Sequence, residues 1–517
     1  MGATMNKGRP FGLIIMLACL QACALGMAAV AQPPQVQISQ GVIAGKTIGE
    51  VDAFFNMPFA AAPVGELRWR PPAVAPGWEG VRDGTQMGPA CSQPLRPAVV
   101  AGGVANVQSE DCLQLNVWRP EGASGLAVMV WIHGGAHVIG SGTFPIFDGT
   151  ELARQGVIVV TINYRLGPLG YFAHPALTDE ATTDTPLGNF GLMDQLAALR
   201  WVQQNIAAFG GDPAQVTVFG ESAGAVSTMA LLSMPEASGL FSAAIVQSGV
   251  NLLTPRTLPE QEALGIAAAG ALAIAPDASA DILRAASADD WVKAAGPRSS
   301  GAVNPFIDGR LLREAPSRAF EDGGALDVPL LVGANSNEAS VLLAMGISPQ
   351  LAVAYFGDQL AEAEAAYGLE ASDPEFARQV LGDAWFVAPA RWLADATQDG
   401  APSYLYHFDY VAEKRRTNSA GAAHGSEITY VFDTVDYFES VVGEMTEADR
   451  RFAEGMSACW VSFAKTHKPD CELVPAWGPY DTERDELALF GPETRVIPGF
   501  RKTMLDLILA RYEHQAP

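Results

Sequence analysis

The sequence predicts an α/β fold: a mostly parallel central sheet with helices on both faces. Three features carry that expectation. Apolar runs of strand length recur along the chain, at Leu126–Ile132, Val157–Ile162, Val216–Phe219, Ala243–Gln247, Val328–Val332 and Ser403–Phe408. Several are continuous rather than alternating, the pattern of a strand covered on both faces. Between two of them Leu192, Leu196, Leu199, Val202 and Ile206 fall at helical spacing, and Gly210-Gly211-Asp212-Pro213 stops that run. Strands alternating with helices imply parallel pairing through right-handed crossovers.

Taken in order, the chain opens with Lys7 and Arg9 as its only early charges, before the apolar run Phe11–Leu20 and small residues ending Ala29-Val30-Ala31. That is the layout of a secretory signal peptide over residues 1–31, removed before Gln32. Its apolar core is too short to span a bilayer, and no other stretch is long and apolar enough to cross a membrane. Leu20-Gln21-Ala22-Cys23 also fits a lipoprotein processing site, so a lipid anchor at Cys23 is the alternative to release as a secreted or periplasmic protein. Beyond the leader remain Cys91, Cys112, Cys459 and Cys471, an even number in an exported chain, which predicts disulfides. Three pairings are open, and local closure of Cys91 with Cys112 and Cys459 with Cys471 is the simplest. No Cys/His spacing suits a metal. His133 and His137 are separated by Gly134-Gly135-Ala136, a loop rather than one helical face, so neither metal nor cofactor is expected.

With 32 basic and 57 acidic residues the formal charge is −25, which repels a phosphate backbone and excludes nucleic acid as a partner. The Ala-rich segments Leu258–Ala295 and Ser348–Asp399 read as helices capping the sheet, the first stopped by Gly296-Pro297. No linker of Pro, Gly and Ser divides the chain, so residues 32–517 are expected to form one domain.

The candidate chemistry centres on Gln215–Gly224. A short buried strand runs into Gly220-Glu-Ser-Ala-Gly224, then into the helix-like Ala225–Met234. In a strand-turn-helix of this kind the central serine is held exposed above the sheet, next to a helix N-terminus. Ser222 is the candidate nucleophile. A serine hydroxyl needs an imidazole to take its proton, and the imidazole needs an acid to orient it. On an open α/β sheet these groups gather at the carboxyl ends of strands, and in hydrolases of this architecture they follow the chain order serine, acid, histidine. His133, His137 and His174 precede Ser222. His407 lies within a strand, His467 lies in a polar turn and His514 is near the C-terminus, which leaves His424. Glu338, just past the strand ending at Gly333, is placed to bond the far nitrogen of His424. Trp131-Ile-His-Gly-Gly-Ala136 follows another strand, and its glycines free backbone N–H groups to turn towards a developing oxyanion.

These residues, with several further motifs, resemble the type B carboxylesterase and lipase family of α/β-hydrolases. The resemblance spans nearly all of the chain beyond the leader. It includes Pro58–Gly65 with Leu67-Arg68-Trp69, Glu110–Asn116, Asn163–Gly167, Gly188–Asp194, Phe219–Gly224 and His424-Gly-Ser-Glu427. It implies Ser222, Glu338 and His424 as a triad, the N–H groups of Gly135, Ala136 and Ala223 as an oxyanion hole, and Cys91–Cys112 as a disulfide. It also implies Arg68–Glu110 and Arg165–Asp194 as structural ion pairs. The function implied is hydrolysis of small carboxylic esters through an acyl-enzyme. A lipase acting on longer acylglycerols and a non-catalytic binding relative are the alternatives. The chain departs from the family where a third glycine is usual and it has Ala136, whose methyl should narrow the acyl side. Where phenylalanine commonly follows it has His137, which should bring a polar, titratable group near the pocket. The segment between Cys91 and Cys112 holds no aromatic residue, which argues against recognition of a choline ester by cation–π attraction.

Overall fold

A computed structural model describes residues 1–5, 32–95, 107–183, 185–295, 304–437 and 444–515. The leader with its cleavage and lipidation sites, and the Gly296-Pro297 helix stop, lie outside the described residues. Among these residues the central sheet has eleven strands. We label them β1 (Lys46–Ile48), β2 (Val51–Pro58), β3 (Gln114–Pro120), β4 (Leu126–Ile132), β5 (Ile158–Ile162), β6 (Gly211–Glu221), β7 (Ala243–Gln247), β8 (Leu330–Asn335), β9 (Ser403–Phe408), β10 (Glu486–Phe490) and β11 (Arg495–Pro498). Their order across the sheet is β11-β10-β9-β8-β7-β6-β4-β5-β3-β2-β1. From β10 to β5 every pairing is parallel. At the two edges β11, and β3 with β2 and β1, pair antiparallel.

The continuous apolar strands follow from two buried faces. Along β4, Val128, Val130 and Ile132 join one core with Leu192, Leu196, Leu199 and Val202 of helix α1 (Phe190–Asn205) and Met229 of helix α2 (Ala223–Leu232). The alternate residues Ala127, Met129 and Trp131 join the opposite core with Phe219 and Phe432. A third cluster, with Leu342, Phe376, Val380, Leu505 and Ile508, lies among the helices that follow β8 and the C-terminal helix. Helix α3 (Ala339–Ala344) opens that region, and α4 (Ala388–Ala396) continues from a π-helical turn at Asp383–Val387. Pro389 sits at this junction and has no N–H to donate, which breaks the regular hydrogen-bond ladder. On the opposite face runs α5 (Glu447–Thr466), capped by Thr446 and Asp449 in a reciprocal box. No described helix is long and apolar enough to cross a membrane.

Cys91 is bonded to Cys112, and Cys459 on α5 to Cys471. Two disulfides point to an oxidising compartment. The second bond closes a loop with a sequence separation of 12 residues. Replacing both of its cysteines by alanine is expected to lower the unfolding free energy by about 3 kcal/mol. Denaturant unfolding reads this, and esterase turnover should be unchanged.

Candidate active site

Ser222 sits between β6 and α2 with φ of 55° and ψ of −122°, a conformation that strains any residue with a side chain. Its neighbours hold it there. The Ser222 N–H donates to the Gln247 carbonyl at 2.9 Å, and the Ser222 carbonyl accepts from the Val226 N–H at 2.9 Å. The flanking glycines are steric necessities. A Cβ on Gly220 would lie 2.6 Å from the carbonyl of Gly224, and one on Gly224 would lie 2.0 Å from the carbonyl oxygen of Ile132. The helix starts at Ala223, two residues earlier than the sequence pattern suggests, because Ser222 is itself its cap.

The glycine loop leaves the end of β4 and turns across this elbow. A Cβ on Gly134 would stand 3.1 Å from that of Ser222. Gly135 has φ of 105°, and a Cβ there would meet the Ile139 carbonyl oxygen at 2.0 Å. The N–H groups of Val138 and Ile139 both donate to the Gly135 carbonyl at 3.0 Å, closing the turn. Among the described residues no backbone partner takes the N–H of Gly135 or Ala136. The N–H of Ala223, in the first turn of α2, has no intrahelical acceptor. The N–H groups of Gly135, Ala136 and Ala223 are thus not taken up by the backbone bonds described.

Glu338 and His424 are brought into direct contact. Nδ1 of the imidazole bonds Oε2 of the carboxylate, while Oε1 accepts from the Asn335 N–H at 2.6 Å. The two loops are zipped together: Asn337 N–H donates to Ala422 at 2.8 Å, and His424 N–H donates to Ser340 Oγ at 3.0 Å. Nε2 of His424 lies 3.0 Å from Oε1 of Glu221, the residue before Ser222, and it makes no hydrogen bond to the Ser222 hydroxyl. The ring of Phe386, from the π-helical turn, packs 5.0 Å from the imidazole. Phe386 of the Ser348–Asp399 segment therefore packs beside the imidazole.

Two further carboxylates crowd this imidazole, and sequence reading gave neither a role. Glu427 is fully buried and accepts from Gln247 at 3.1 Å and from Asn335 at 2.5 Å. Burial raises the pKa of Glu427, and it raises that of Glu221, with Glu427 and Glu338 adding to the latter rise and the His424 cation opposing it. Burial by itself would lower the pKa of His424, but the charges of Glu221 and Glu338 more than reverse this and lift it above the ordinary histidine value. A base must be neutral to accept a proton, so activity should rise with pH along an acid limb above that value. Glu221→Gln removes one of the lifting charges. It is expected to move the acid limb of kcat/KM to lower pH, which a pH–rate profile reads directly.

The other histidines are placed elsewhere. His407 lies within β9, where burial pushes its pKa down to about 3. Burial also holds His133 at about 4, with Nδ1 against the Gly134 carbonyl. His137, expected to bring a polar group near the pocket, is enclosed by protein. Its side chain is buried, with Nε2 at 3.1 Å from Ser227 Oγ and Nδ1 at 3.1 Å from Asn304 Oδ1. Both ion pairs expected from the resemblance form with two contacts each. Arg68 reaches Glu110 at 2.6 Å through Nε and Nη2, and Arg165 reaches Asp194 at 2.8 and 2.7 Å.

A family model described as the carboxylesterase family matches residues 32–507. The chain belongs to that family. It is 38% identical over 519 residues to a fumonisin B1 esterase of Sphingopyxis macrogoltabida, covering 95% of this chain and 93% of the relative. To a para-nitrobenzyl esterase of Bacillus subtilis it is 38% identical over 480 residues, covering 89% and 95%. A cocaine esterase of Homo sapiens is 34% identical, with 85% of this chain and 83% of the relative covered. Among solved structures a PNB esterase superposes with a TM-score of 0.82 at 34% identity, covering 92% of this chain and 99% of that one. A Geobacillus stearothermophilus carboxylesterase superposes with a TM-score of 0.79 at 34% identity, covering 91% and 99%. The fold is that of the α/β-hydrolases.

Proposed function

We propose that this carboxylesterase-family chain is an exported serine esterase working through Ser222, His424 and Glu338. The observation that carries the reading is the buried contact of Glu338 with His424, set beside a serine in a strained turn and three N–H groups not taken up by the described backbone bonds. Rotation of the Ser222 side chain on substrate binding brings its hydroxyl to Nε2, a contact that often tightens only in the complex. His424 takes the proton as Ser222 Oγ attacks the ester carbonyl, and the N–H groups of Gly135, Ala136 and Ala223 bind the resulting oxyanion. Collapse of that intermediate expels the alcohol, protonated by His424, and leaves an acyl-serine. A water deprotonated by His424 then hydrolyses the acyl group. Glu338 keeps Nδ1 protonated and stabilises the cation.

The reactant is a small carboxylic ester. The test is hydrolysis of p-nitrophenyl esters of increasing acyl length. Turnover of the soluble short-chain esters supports the reading; activity confined to emulsified long-chain substrates contradicts it in favour of a lipase. Export is tested by cell fractionation, with the protein expected outside the cytoplasm.

A further inference from the structure

The His137 side chain, buried behind the oxyanion loop, joins the two halves of that site. The first half is the loop, which carries the N–H groups of Gly135 and Ala136. The second is the N-terminus of α2, which carries the N–H of Ala223. Ser227 lies four residues beyond Ala223, one helical turn along on the same face. The hydrogen bond between His137 and Ser227 therefore ties the loop to the stretch of helix directly behind the third donor. The loop also needs holding. Ala136 and His137 are consecutive residues with φ of 56° and 58°, a left-handed conformation that costs a side-chain-bearing residue about 1 kcal/mol or more.

The partners define the state of the ring. Oδ1 of Asn304 only accepts, so Nδ1 of His137 carries the proton. Nε2 then accepts from the Ser227 hydroxyl, whose oxygen in turn accepts from Gln195 Nε2 at 3.0 Å. Asn304 stands two residues from Phe306, whose N–H donates to Asn189 Oδ1 at 3.0 Å, so this segment is itself anchored to the start of α1. The Gly167 N–H donates to the His137 carbonyl at 2.7 Å and fixes the backbone from the far side. A serine, histidine and asparagine in this arrangement have the order of a nucleophilic triad. Here Ser227 and His137 are 0% and 1% exposed, so no ester carbonyl reaches the hydroxyl. The cluster holds; it does not react.

We propose that His137 is a positioning residue for the oxyanion site, fixing the Gly135–Ala136 loop against α2 through Ser227 and against the Asn304–Phe306 segment through Asn304. The proposal rests on the oxyanion reading above. Its substitution by phenylalanine keeps a ring against Tyr171, whose centroid is 5.0 Å away, and removes both hydrogen bonds.

The test compares wild type, Ser222→Ala, His137→Phe, Ser227→Ala and the His137→Phe/Ser227→Ala double variant on p-nitrophenyl acetate. The same proteins are timed for inactivation by a phosphonate, which leaves an anionic oxygen in the hole. A loop displaced by a fraction of an ångström to one ångström should lower kcat about tenfold to a hundredfold, with KM within twofold of wild type. Phosphonylation should slow by the same factor and still reach one label per chain. The double variant should be no slower than the worse single one, because both substitutions break one link. Ser227→Ala alters a small side chain and keeps the test decisive if His137→Phe does not fold. Single variants with kcat within twofold of wild type, or with a raised KM at unchanged kcat, would overturn the proposal. So would a lowered melting temperature with kcat retained. Failure of the underlying reading looks different: wild type and Ser222→Ala would then hydrolyse the ester equally.

Discussion

Ser222→Ala should lower kcat on p-nitrophenyl acetate by about a millionfold, the scale seen when the nucleophile of a cooperating triad is removed. The substitution deletes only an oxygen, at a position where the backbone is held by Gln247 on one side and Val226 on the other. Alanine also tolerates the strained φ no worse than serine does, so the fold should be kept and KM should change little. What remains is the modest catalysis of the three N–H donors acting on water. Steady-state turnover with a stringent blank checks this, and a residual rate within tenfold of wild type would remove Ser222 from the mechanism.

Glu338→Gln should cost about ten-thousandfold in kcat with the site otherwise intact. The carboxylate accepts at both oxygens, from Asn335 N–H and from His424 Nδ1. A glutamine amide presents one acceptor and one donor to the same two N–H groups. With its oxygen kept by the Asn335 N–H, its NH2 faces Nδ1 and forces the imidazole into the tautomer whose Nε2 carries the proton. That nitrogen then no longer accepts from Ser222. The same change removes a negative charge from His424, so the pKa of the imidazole falls. The loss should persist at every pH, which separates a tautomer defect from a simple titration shift. Turnover measured across the pH range reads both.

Strand-level organisation was legible because two buried faces demand uninterrupted apolar residues, as in Leu126–Ile132 and Ala243–Gln247. The antiparallel edges were not. β2 and β3 carry Asp52, Asn56, Asn116 and Arg119, and their pairing is broken by a register shift between Phe54 and Met57, so neither period stands out. Val328 was expected to open β8, yet the strand runs Leu330–Asn335, carrying its end up to the Glu338 loop. The strained turn at Ser222 and the pairing of Glu338 with His424 were readable from steric logic and chain order. The role of Glu221 was not, because its burial depends on distant parts of the chain. Gly134 and Gly425 lack side chains, and a Cβ on either would stand 2.7 or 3.2 Å from the Glu221 carboxylate. The partners of His137 were hidden for a related reason: Ser227 and Asn304 come from distant parts of the chain.

The acyl-enzyme is the most direct measure of whether these parts work as one. A slowly released carbamoylating or acylating ester, followed by intact-mass and peptide mapping, should give one adduct per chain, located on Ser222, and His424→Ala should form it far more slowly. Continued ester hydrolysis with no adduct, or with the adduct on another residue, would contradict the account.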